Sequence, residues 1–411
     1  MNLLKHPACF LLLLLSLTLL SCDRFSDPYA ASEDALPQEV SVQLIYPEGF
    51  AEVLRAGTLL RFENIGNAAL YSARTDADGR VQVALPKGIY RISAQDRVGQ
   101  DLFNGSLDHV VVAGDALRID LPLTHSLAGT LVVRELYVGG CSKAPEEGTW
   151  QADQYVLLHS NDPDPVYLDG LCFGTLTPYN ATGVNHWLGA DGSLPDFAPV
   201  VTVVWKFPGS GTDHPLGPGE DALIALRGAI DHTAQYPLSV NLNRSDCYVC
   251  YNETYFPNPT YHPAPGDQIR ADHILEVAIK TGQSNANVVS ITSPAFLIFR
   301  PKGMTIEDYL QQPDVVVATP GSSSDIVVKV PYEWVIDAVE VFDGRSTANG
   351  KRFPAQLDAG FVTQSEPFKG HSLIRRVDEA ESEEKGFVIL KDSNNSSEDF
   401  YESETASLHA D

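Results

Sequence analysis

The chain reads as all-β: a small N-terminal sandwich followed by a larger one, with short helices confined to insertions. Three observations predict this. Residues 127–174 hold three strand-like runs, Leu131 to Tyr137, Gln154 to Leu158 and Val166 to Leu168. Turn chemistry such as Asn161-Asp162-Pro163-Asp164-Pro165 separates the last two. Residues 40–92 repeat the pattern, with short alternating runs around an Asp78-Gly79 turn whose glycine tolerates positive φ. Helical signals are few. Thr305 with Asp308 three residues later has the form of a capping box, predicting one short helix before Pro313, and residues 218–236 read as a strand entering another.

Taken in order, Lys5 and His6 precede an apolar stretch from Phe10 to Leu20, interrupted by Ser16 and Thr18. A bilayer span needs about 20 residues, so this stretch fits a signal-peptide core, residues 1–21. It ends at Leu19-Leu20-Ser21-Cys22, the form of a bacterial lipobox, which makes Cys22 the expected lipid-attachment site. Several acyl chains of the palmitate kind on one residue would anchor the chain stably. Residues 22–38 lack periodicity and read as a tether. The first sandwich is expected over 39–125. The second covers 126–402, with a Tyr- and Pro-rich insertion at about 237–270. The acidic patch from Asp378 to Glu384 and an acidic tail, 403–411, are expected to be solvated.

Residues 75–92, TDADGRVQVALPKGIYRI, resemble the regulatory module of carboxypeptidases, which implies a prealbumin-like sandwich that serves as spacer or binding platform. Asp76 and Asp78 could be read as calcium ligands, but the remaining positions of an EF-hand loop are missing, so turn chemistry is the reading. A second resemblance lies further on. VVRELYVGG with DQYVLLHSNDPDPVYLDGLCFG, then PGEDALIAL, WVIDAVEVFD, and GHSLIRR with LKDSNNSSEDF, resemble successive segments of a lamin-tail-type domain, which implies an immunoglobulin-like sandwich. Together with Cys22, the whole is similar to an uncharacterised lipoprotein family of the Bacteroidetes type. Asp153, Asn161, Asp169, Asn394 and Asn395 in these segments are residue types that build turns and loop-to-strand hydrogen bonds.

Fifty-four acidic against 28 basic residues give a net charge of −26, which argues against nucleic acid, since phosphate backbones need clustered Lys and Arg. The excess serves solubility, or retention of cations at the surface. Cys141, Cys172, Cys247 and Cys250 lie outside the signal segment, and an even number beyond the cytoplasm suggests disulfides in one of three connectivities. Cys141–Cys172 with Cys247–Cys250 is the preferred set. The CYVC spacing is thioredoxin-like, but no βαβ context accompanies it. Zinc on Cys247, Cys250 and His262 or His273 is an alternative without a finger's spacing. Asp231-His232 lacks a nucleophile, and no hydrolase or phosphate-loop motif is evident; no cofactor and no catalytic residue is expected.

The expectation is therefore a non-catalytic binding or scaffolding lipoprotein of the outer membrane. Its partner would be an outer-membrane transport receptor or an extracellular polymer, engaged through loops. The insertion, with Tyr248, Tyr251, Tyr255 and Tyr261, has the composition of a recognition surface, or of a long loop pinned by its own rings. The alternatives are a zinc-binding protein or metal-dependent hydrolase around Cys247, Cys250, His262 and His273, and a self-associating surface-assembly part.

Overall fold

Alternation of buried and exposed residues organises the first half of the structure. The computed structural model describes residues 37–410 except 51–55, 115, 283 and 284. The signal peptide and Cys22 lie outside the described residues. Strand Gln38–Ile45 sits at the centre of a three-stranded sheet, antiparallel to Arg80–Leu85 and parallel to Leu117–Pro122. Facing it is a five-stranded sheet in the order Leu70–Arg74, Leu59–Asn64, Gly88–Val98, Asp101–Val112, Thr124–Leu127. Val40, Val42, Leu44, Leu60, Phe62 and Ile92 fill the space between them. Each comes from every second position of its strand, as a half-buried sheet requires. Asp76 closes the turn that carries the chain from Leu70–Arg74 in one sheet to Arg80–Leu85 in the other, accepting the amides of Asp78 and Arg80, both at 2.9 Å. Gly79 supplies the positive φ of 72°.

The second half is all-β as well, but its strands are buried on both faces. A six-stranded sheet runs in the order Cys247–Val249, Asp221–Ala225, Tyr155–Ser160, Leu131–Tyr137, Ser372–Arg375, Phe400–Ser403. An eight-stranded sheet packs against it, with Phe197–Lys206, Cys172–Leu176, Ala295–Phe299 and Val335–Asp343 at its centre. Val133, Val156, Phe173, Trp205, Ile224 and Phe296 form the core between the sheets. Alternate residues point outward and are covered in turn. Tyr155, Leu157, Leu223 and Val249 pack under the insertion on one side. On the other side, Leu176, Val200 and Leu297 pack with Ile306 and Tyr309 of the short helix Ile306–Leu310. All six residues of Tyr155–Ser160 are consequently buried.

The helix after Thr305 forms as its capping residues require, with the Thr305 hydroxyl accepting the Asp308 amide at 3.1 Å. Two polar segments differ from their sequence reading. Asp378 to Glu384 faces solvent but is not a loop: Glu379–Lys385 is helical with no side chain buried, capped by the Asp378 carboxylate and ended by Gly386 in the left-handed region, φ 79°. The chain end is not a loose tail either. Ala406 is buried beside Leu157 and Leu223, and the amide of Ser407 donates to Glu135 at 3.0 Å.

Candidate functional site

The outward-facing residues of Gly88–Val98 turn toward the second sandwich. Tyr90, Ile92 and Ala94 point into the first core, so Arg91, Ser93, Gln95 and Arg97 point out. The segment from Lys391 to Phe400 meets them and their neighbours. Asn104 donates to the Ser393 carbonyl at 2.7 Å, Asn394 to the Ser126 hydroxyl at 2.9 Å and Asn395 to the Gln95 amide oxygen at 3.3 Å. Arg97 pairs with Glu381 at 2.6 Å, and Arg61 with Glu398. Arg91 lies 5.1 Å from the ring centre of Phe361 and 5.4 Å from that of Phe342, and these two rings stack at 4.1 Å. Along this junction run three clefts of about 330, 410 and 290 Å³. Arg61 and Ser93 line the first two, and Arg91 and Phe361 the last two, so they form one groove.

The same segment reaches inward. Arg375, fully buried, pairs with Asp337 at 2.5 Å, Asp392 at 3.2 Å and Asp399 at 3.6 Å, and donates to the Val133 carbonyl at 2.7 Å. Three carboxylates share one guanidinium away from water. Burial raises Asp337 and Asp399 to about 7 each, against the pull of Arg375 and with the push of Asp392. The second oxygen of Asp392 accepts the Gly129 amide at 2.5 Å, in the link between the sandwiches. One stretch of chain thus joins the interior ion cluster to the junction. Asn161 clamps its start, exchanging two 2.8 Å bonds with Leu390. Asp169 accepts three loop amides at 2.9 Å, from Gly211, Asp213 and His214.

The CYVC stretch does not make a redox or metal centre. Residues i and i+3 of a strand face opposite sides, so the Cys247 thiol lies under the insertion while that of Cys250 enters the central core. Cys141 sits beside Asp153 (3.6 Å), beyond the six-stranded sheet, while Cys172 packs beyond the eight-stranded one. Packed sheets are about 10 Å apart, further than a disulfide spans. All four thiols are free, which corrects both expected pairings. Burial pushes Cys141, Cys172 and Cys247 up to about 12 and Cys250 upward as well. His273 addresses the main-chain carbonyl of Cys247 at 3.3 Å, not its thiol. His262 stacks parallel on Tyr251 with ring centres 5.7 Å apart, and burial lowers it to about 4. Among the described residues no group of three His, Cys, Asp or Glu is placed to hold a metal.

The four insertion tyrosines divide into two kinds. Tyr248 is buried, stacked on His273 at 4.1 Å, with its hydroxyl 3.2 Å from His214. Tyr251 is half-buried on His262, and Phe256 packs against Trp205. Tyr255 and Tyr261 remain 44% and 55% exposed. Asp231 caps the short turn His232–Ala234. The His232 ring is held by the Gly228 carbonyl at 2.7 Å and by Trp150 at 3.2 Å, leaving neither nitrogen for a nucleophile. Asp153, raised by burial, accepts Ser239 at 2.6 Å and Tyr137 at 3.0 Å within the same sealed cluster.

The second sandwich carries a likeness to a known family model. Residues 217–407 match the model of a family described as a protein of unknown function, DUF4876. A crystal structure of a DUF4876 family protein from Bacteroides thetaiotaomicron is similar at 26% identity and a TM-score of 0.54, over 89% of this chain and 94% of that one. The likeness therefore runs through both sandwiches and fits an uncharacterised Bacteroidetes family. A DUF3823 family protein from Parabacteroides merdae is 14% identical over 34% of this chain and 67% of its own, with a TM-score of 0.18. No curated protein matches. The junction groove was missed in the sequence because its walls come from residues about 300 positions apart. The polar LKDSNNSSEDF segment was its one visible sign.

Proposed function

We propose that this protein is a non-catalytic binding or scaffolding module of the outer membrane, held by lipid on Cys22 and engaging an envelope partner or an extracellular polymer. The first domain would act as the carboxypeptidase-regulatory-like spacer and the second as the lamin-tail-like platform that its motifs resemble. The observation that supports this reading is the insertion. Tyr248, Tyr251, Phe256, His262 and His273 fix its base by ring packing, which leaves Tyr255 and Tyr261 exposed on an already ordered frame. Tyrosine offers wide contact area at low entropic cost, and a pinned loop loses little further freedom on binding. The test has two arms. Mass spectrometry of the mature amino terminus should find Cys22 acylated. Cross-linking in intact envelope should yield an adduct that the Tyr255→Ser/Tyr261→Ser double variant reduces several-fold. An unmodified amino terminus removes the anchor, and an unchanged adduct removes the platform.

A further inference from the structure

We propose that the first lobe of the junction groove is a binding site for a tetrahedral oxyanion, the phosphate or sulfate group of a larger ligand, and that both sandwiches build it. In a chain of net charge −26, this cleft of about 330 Å³ is lined, among the described residues, by Arg61, Arg74, Arg97 and Lys391 against Asp96 and Glu398. Arg61 is committed to Glu398 and Arg97 to Glu381. Asp96 is held by the Tyr46 hydroxyl at 2.5 Å. The other two cations differ. Arg74 hydrogen-bonds the Gly57 carbonyl at 2.6 Å and Lys391 the Glu398 carbonyl at 3.2 Å, and among the described residues neither has a carboxylate partner.

Neutral carbonyls leave the charge of these two groups uncompensated, and a charged ligand oxygen makes the stronger bond with either. Arg74 comes from the edge strand of the first sandwich and Lys391 from the junction segment of the second. An anion between them takes donors from several directions, which suits four tetrahedrally placed oxygens. Gln95 and Asn395, bonded to each other at 3.3 Å on the same wall, add neutral polar groups. The surrounding acidic surface would repel a free polyanion at long range. Binding would therefore strengthen as salt rises at low ionic strength, once that repulsion is screened, before direct competition takes over.

The inference stands apart from the Tyr255/Tyr261 platform: that reading fails in envelope cross-linking, this one in anion titration. The full chain in detergent micelles is titrated with inorganic phosphate and with sulfate by calorimetry, then with dextran sulfate and with vesicles of phosphatidylglycerol in phosphatidylcholine. Saturable binding of a small anion is expected. Arg74→Gln and Lys391→Gln should each weaken it about ten-fold, as loss of a charge-assisted bond does, while Arg345→Gln, outside this lobe, should leave it unchanged. A response to dextran sulfate that both variants abolish assigns the group to a polymer, and the same response to vesicles assigns it to a lipid headgroup. No saturable anion binding, or binding indifferent to Arg74 and Lys391, overturns the proposal. Unchanged circular dichroism and melting of each variant guard against misfolding as the cause of a loss.

Discussion

The two sandwiches solve the same packing problem with opposite treatment of charge. In the first, charged side chains stay on the outer face: Arg91, for example, pairs there with Glu63 at 3.1 Å and Asp108 at 2.5 Å. In the second, charges are sealed in on both sides of the sheets, some between the two sheets and some on outer faces that insertions cover. Arg375 sits among three aspartates, and Arg352 lies on Glu340 at 2.6 Å with both side chains buried. Glu135 takes bonds from Tyr155, Ser372 and Ser407. Covering a sheet on both sides makes a larger core but requires every polar group caught inside to be satisfied.

The contrast is broken most severely at Arg375. Arg375→Met leaves Asp337, Asp392 and Asp399 without their shared cation. It is expected to cost about 3–5 kcal/mol, as loss of one partner from a buried ion pair does. Urea denaturation followed by circular dichroism measures it, and a loss below about 1 kcal/mol would mean that the cluster is solvated.

Acidity is the next lever. Asp337 and Asp399 stand near 7 in the fold against an ordinary value of 3.8, so the folded state holds protons that the unfolded chain releases. The stability this proton binding contributes is complete below the unfolded value and fades as pH rises through about 7. The urea midpoint should therefore be higher at pH 6 than at pH 8, opposite to the trend of a surface aspartate in a salt bridge. A flat or reversed profile would contradict the cluster's assigned charge.

Tyrosine hydroxyls give a finer comparison. Tyr155→Phe removes the 2.6 Å bond to buried Glu135 and should cost about 1–3 kcal/mol. Tyr90→Phe in the first sandwich removes a 2.8 Å bond to the partly solvated Pro86 carbonyl and a contact with the Asn64 side chain, with no buried charge involved, and should cost about 1 kcal/mol. Equal losses would erase the distinction between the two interiors. The smallest effect is expected at the helix cap, where Thr305→Ala should lower stability by about 0.5–1 kcal/mol in the same assay.

Legibility in the sequence follows the same divide. The run from Val40 to Ile45 could be read because one of its faces sees water, and alternation is the trace of that. Tyr155–Ser160 was legible as a strand but not in its surroundings, since burial on both sides erases alternation. Asp378 to Glu384 looked like solvated loop because its helix buries none of its own side chains and so has no apolar stripe. The opposed faces of Cys247 and Cys250 were readable from strand parity alone. Arg375 was visible within GHSLIRR, but its three partners at 337, 392 and 399 come together only in the fold. The same holds for Arg74 and Lys391.

The chain enters its first sheet through the middle. Gln38–Ile45 has a neighbour on each side, one parallel and one antiparallel, so a pull on residue 37 cannot peel it away bond by bond as it would an outermost strand. Both ladders must slide together before either lets go. Whatever hangs from that end is fastened by shear, and the sandwich should bear sustained flow or traction along that axis better than across it.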